Sequence, residues 1–135
     1  MLALWRGGNL KAHGTGKVVA VIGASMNPAK YGHRSVRAHV RQGYTTYAVN
    51  PNLEGTIEGA TTVARLEDIP VKIDRVTLYL PPELGIKLLP SIKAAAPDEF
   101  WVNPGAEDDD FIEKAEAAGL DPIYACSILD IGERP

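Results

Sequence analysis

At 135 residues and a net charge of −3, the chain has the size and balance of one globular domain. No apolar run approaches the roughly 20 residues of a membrane span, and a single cysteine, Cys126, excludes an intrachain disulfide framework and multi-cysteine metal sites. We expect a cytoplasmic protein that neither enters a membrane nor, being mildly acidic as a whole, seeks nucleic acid.

The charge is unevenly spread. Residues 1–53 carry seven basic side chains and no acidic one, and residues 54–135 carry the other seven basic and all 17 acidic ones. The two parts are therefore +7 and −10. A solvated helix face could produce this imbalance; an anionic ligand at the amino-terminal end is the sharper reading.

Met1 to Gly16 has no clear period and reads as a loosely ordered arm ahead of a domain over residues 17–135. Its Leu2-Ala3-Leu4-Trp5 run is too short for a secretory h-region. Trp5 in such an arm suits docking on another chain, so a homo-oligomer is a possible state. Val18 to Ile22 is a continuous apolar run, as expected of a central parallel strand covered on both faces. Gly23-Ala-Ser-Met-Asn-Pro-Ala-Lys-Tyr-Gly32 follows, and then a helix over His33–Gln42 with Val36 and Val40 facing the sheet. Strand, glycine-bounded loop and helix make an anion site, because a helix start leaves backbone N–H groups unpaired and partly positive.

Thr45–Val49 is a second strand, stopped by Asn50-Pro51-Asn52. Thr61–Val63 could form a short edge strand and Arg65–Ile69 one helical turn. Arg75–Leu80 is a strand with Val76, Leu78 and Leu80 on one face and Thr77 and Tyr79 on the other. After Pro81-Pro82 a helix places Leu84, Leu88 and Ile92 on an apolar stripe, with a kink or break expected at Pro90. Phe100–Val102 is a short strand closed by Asn103-Pro104-Gly105-Ala106. Asp108, Asp109 and Asp110 open a helix, which reads as capping rather than metal binding. Phe111, Ala115 and Ala118 of that helix face inward, and Pro122–Cys126 is the last strand.

Alternating strands and helices argue an α/β fold: a Rossmann-like, doubly wound, mainly parallel five-stranded sheet with helices on both faces. Its winding reverses beside Val18–Ile22, so the ligand crevice belongs at the carboxyl ends of the strands there. NAD(P) fits poorly. The loop lacks G-x-G-x-x-G, and the second strand ends in Asn50-Pro51 with no carboxylate before Glu54. A P-loop is excluded because His33 and Arg34 follow Gly32.

Four stretches carry a resemblance: Val19 to Ser25, Ala48 to Pro51, Asp74 to Glu83 and Trp101 to Glu107. At these spacings, over about residues 17–127, the chain resembles the CoA-binding domain family. This Rossmann-like domain also forms the amino-terminal part of succinyl-CoA synthetase α subunits and occurs as small stand-alone proteins. The resemblance implies coenzyme A as the ligand. It implies that Gly23, Ala24, Ser25, Lys30, Tyr31 and Gly32 hold its phosphates and that Asn50 and Pro51 lie beside the adenosine. Leu80 and Pro81 would form the facing wall, and Asn103, Pro104 and Gly105 the loop along which the pantetheine arm leaves. Ligase relatives often carry a Lys after the strand-end Pro; here Asn52 and Leu53 stand there, and Arg34 or Arg37 could substitute.

The synthetases phosphorylate a histidine of a separate domain, which is absent from these 135 residues. His13, His33 and His39 join no Ser-His-Asp set or paired-histidine motif. The expected function is non-catalytic binding of CoA or an acyl-CoA. The alternatives are an NAD(P)- or other nucleotide-dependent enzyme, or a partner subunit of an acyl-CoA synthetase. Cys126, on the crevice side, is either a small buried apolar residue or a thiol facing that of CoA.

Overall fold

The apolar run after Lys17 becomes β1 (Val18–Ile22), the middle strand of a sheet covered on both faces. The computed structural model describes residues 12–135. Ala20 and Ile22 enter one core with Val76, Leu78, Phe100, Val102, Ile92 and Phe111, while Val19 and Val21 enter a second with Val36, Ala48 and Ile128. This two-sided burial is the physical reason for an unbroken apolar run where a half-exposed strand would alternate.

The remaining elements follow in chain order: α1 (Tyr31–Arg41), β2 (Thr45–Val49), β3 (Thr56–Ile57), β4 (Ala60–Val63), a 3₁₀ turn (Leu66–Asp68) and β5 (Arg75–Leu78). Then come α2 (Pro82–Ile86), α3 (Leu89–Ala95), β6 (Glu99–Val102), α4 (Asp109–Ala117), β7 (Ile123–Tyr124) and α5 (Ser127–Asp130). The strand order is β3-β4-β2-β1-β5-β6-β7, and every pairing is parallel except β3 with β4. β2 and β5 flank β1, so the winding reverses beside it as expected. The sheet is Rossmann-like.

It has seven strands, not five. The added pair is the β3–β4 hairpin, which absorbs the expected edge strand at Thr61–Val63. Its turn residues Glu58 and Gly59 have φ of 51° and 85°, the positive values a tight hairpin turn demands. The predicted long helix after Pro81 is two helices. The break lies at Lys87-Leu88, and Pro90 sits in the first turn of α3, where its missing N–H costs little. Leu84, expected inside, is 44% exposed; Gly85 packs against the Leu78 and Phe111 side chains instead. Asp108 caps α4 by accepting from Phe111 N at 2.8 Å. The last strand stops at Tyr124, which leaves Cys126 to precede α5.

Of the expected arm, residues 1–11 lie outside the described residues. Residues 13–16 form a turn against the α1–β2 corner, with Gly14 N donating to Gln42 O at 2.7 Å and His13 Nδ1 2.8 Å from Tyr44 Oη.

Candidate functional site

A cleft of about 650 Å³ opens at the carboxyl ends of β1, β5 and β6. The loop after β1 builds one wall. Gly23 turns the chain at a φ of 87°, and a Cβ there would press on the Tyr79 carbonyl at 3.1 Å. Gly32 meets this loop from the helix side, since a Cβ on it would strike the Gly23 carbonyl oxygen. The start of α1 can approach the strand end only because both positions lack a side chain.

The loop between them is shaped by its own polar groups. Ser25 Oγ accepts from Asn27 N at 3.0 Å, and Asn27 Oδ1 accepts from Ala29 N at 2.9 Å. The Ser25 hydroxyl proton stays available to a ligand. Among the described residues, the N–H groups of Ala24, Ser25, Tyr31 and Gly32 have no protein partner. Lys30 precedes the helix, is exposed and has no carboxylate partner among the described residues. Orphan helix-start amides, a loop hydroxyl and a cation are the chemistry that can seat an anion. Tyr31 stands 59% exposed at the rim, with the Arg34 guanidinium 5.2 Å from its ring centroid.

Asn50 lines the cleft at the end of β2. Its Nδ2 donates to Ala24 O at 3.0 Å and its Oδ1 accepts from Asn52 N at 3.1 Å, so the side chain braces the loop in place of an acid. Pro51 is exposed and does not line the cleft, because the chain has already turned outward there. Leu80 and Pro81 form the apolar wall beyond β5, joined by Tyr79 and Pro82. Burial raises the Tyr79 phenol above its ordinary value, and its hydroxyl lies 3.1 Å from Ser127 Oγ.

Asn103, Pro104 and Gly105 also line the cleft, but the Asn103 side chain is fully engaged inside the protein. Its Nδ2 donates to Thr77 Oγ1 at 2.7 Å and Leu78 O at 3.0 Å, while its Oδ1 accepts from Ser127 N at 2.9 Å. Only the loop around it can meet a ligand. Gly105, at a φ of 94°, makes the turn that brings Ala106 back to Asn103 O.

The carboxyl-terminal segment closes the far side through Cys126, Ile128 and Pro135. Cys126 is half-buried, lining the cleft while packing against the core of Val19, Val21 and Ile128. Ile128 and Pro135 show no pattern in the sequence that marks them as lining; their position depends on the chain returning over β5 and β6. The return is anchored by Arg75, whose side chain is 2% exposed. It bonds Glu99 at 2.9 Å, Asp130 at 3.0 Å and Ser127 O at 3.1 Å, and it stacks 4.6 Å from the Trp101 ring. Trp101 is thus a core residue.

The protein is Rossmann-like, and its cleft has backbone amides and Lys30 at one end and apolar walls at the other. The chain belongs to the CoA binding domain family, whose model matches residues 17–131. A conserved hypothetical protein from Pyrococcus furiosus is similar over 84% of this chain and 98% of that one, at 29% identity and a TM-score of 0.74. A Thermus thermophilus protein is 30% identical over 84% of this chain and 87% of that one, with a TM-score of 0.74. The dinucleotide-forming acetyl-coenzyme A synthetase 1 of Ca. Korarchaeum cryptofilum shares the fold at 18% identity and a TM-score of 0.63. The match takes up 82% of this chain and 26% of that synthetase.

Proposed function

We propose that the chain binds coenzyme A or an acyl-CoA in this cleft and performs no chemistry of its own on it. The observation that carries the reading is the join of two unlike surfaces in one cleft of about 650 Å³. The anion seat at Lys30 and the α1 start suits phosphates, and the Leu80-Pro81-Pro82 wall suits an adenine or the apolar parts of a pantetheine arm. The residues present fit the group. The bare Gly32 lets the helix start close on the loop, the loop amides are free to donate among the described residues, and no carboxylate stands at the end of β2 to meet a ribose diol.

The roles we assign are those the resemblance implies, adjusted to the cleft lining. Ser25, Lys30, Tyr31 and Gly32 hold phosphate, with Gly23 and Ala24 giving the backbone its approach. Asn50 braces that loop beside the adenosine, and Pro51 takes no direct part. Pro104 and Gly105 guide the arm, while Asn103 holds their loop in place. His33 and His39 support a binding role over catalysis: both ring nitrogens of His33 face protein oxygens, and His39 is 0% exposed. Native mass spectrometry of freshly purified protein tests the reading, with retained CoA or an acyl-CoA as the expected mass. Retained NAD(P) instead would favour a nucleotide-dependent enzyme.

A further inference from the structure

We propose that His33 and Glu58 form a latch that sets the donor pattern of the anion loop, a role that rests on reading the cleft as a CoA site. His33 lies in the first turn of α1 with its side chain 8% exposed. Its Nδ1 is 2.9 Å from the Ser25 carbonyl oxygen and its Nε2 is 3.0 Å from Glu58 Oε2. The ring thus spans the Ser25 carbonyl on one side and the Glu58 carboxylate on the other.

Glu58 occupies a position that the local backbone does not favour for it. At a φ of 51° the hairpin turn calls for Gly, Asn or Asp. A longer carboxylate stands there and reaches back to the helix. Strain retained at such a position points to work done by the side chain.

The work concerns the peptides after β1. Asn50 Nδ2 holds the Ala24 carbonyl at 3.0 Å, and His33 holds the Ser25 carbonyl next to it. In a trans peptide the N–H points away from the C=O of the same unit. Fixing these two carbonyls therefore fixes the N–H groups of Ser25 and Met26, which have no protein partner among the described residues. One tie comes from the end of β2 and the other, through His33, from the β3–β4 turn. His33 and Glu58 are positioning residues: neither lines the cleft, and together they hold Ser25, whose amide and hydroxyl do.

Glu58→Gly separates this role from a structural one, because glycine suits the positive φ while removing the carboxylate. In the ligand-free protein we expect an unchanged or raised Tm, together with several-fold faster amide hydrogen exchange over residues 24–31. Calorimetric titration should show CoA affinity lowered about fivefold, the scale of one partly exposed charge-assisted bond. Glu58→Gln, which keeps an acceptor, should restore most of both. Wild-type exchange and affinity in Glu58→Gly would overturn the latch, as would a Tm that falls together with affinity. If wild-type protein fails to bind CoA, the CoA reading fails, and the exchange measurement alone still decides the latch.

Discussion

Lys30 is exposed, precedes the α1 start and has no carboxylate partner among the described residues, so its ammonium serves no visible structural purpose. Lys30→Ala should weaken CoA by about tenfold, the loss of one charge-assisted bond. Pantetheine, which has no phosphate, should bind both proteins equally in calorimetry; equal weakening of both ligands would remove Lys30 from the phosphate seat. His39 makes a different kind of prediction. Burial, more than its neighbours, lowers its pKa from 6.5 to about 4, with its Nδ1 held 2.8 Å from Ser35 O. Above pH 6.5 the ring is neutral in both folded and unfolded chains and adds no pH dependence. Below it the unfolded chain takes the proton first, so stability falls as pH drops from 6.5 towards 4. The full loss is on the order of 3 kcal/mol. Denaturant unfolding of His39→Phe should lack most of this acid limb; an identical limb would place its origin elsewhere.

At the scale of elements, the carboxyl-terminal segment is as much part of the cleft as the loop after β1. Ser127 links it to Thr77, Tyr79 and Asn103, and Arg75 bonds its carbonyl and the Asp130 carboxylate. These ties hold Cys126 at the cleft surface. Because Cys126 is the only cysteine in the chain, its alkylation reports on that wall. Acetyl-CoA, which has no free thiol, should slow alkylation by iodoacetamide several-fold, while free acetate should not. Unprotected alkylation at saturating acetyl-CoA would mean that α5 does not border the bound ligand. The β3–β4 hairpin has a parallel part on the opposite side, where its turn carries Glu58 to His33.

Over the whole molecule, the basic excess of residues 1–53 reaches the cleft through Lys30, while Arg34 and Arg37 lie on α1 and do not line it. Arg41, at the other end of that helix, pairs with Glu133 at 3.6 Å. The central strand was legible because β1 writes its two-sided burial as an apolar run, whereas β5 alternates in sequence yet is buried on both faces. The loops at their carboxyl ends were legible where those patterns stop. The rest is tertiary. Arg75 opens a strand with nothing local to mark its burial, and Glu99, Asp130 and the Trp101 ring make it a buried anchor. Asn103 was legible as a cleft residue but not as one whose side chain is fully used, since its partner Ser127 lies 24 positions away. The resemblance puts Pro51 with Asn50 beside the adenosine, and the turn after β2 leaves Pro51 exposed and off the cleft lining.

If the amide-and-lysine end and the apolar wall take one ligand, as we propose, the ligand-free protein should bind one CoA per chain saturably in isothermal titration and give no measurable heat with NADH. Saturable NADH binding with none for CoA would overturn that reading.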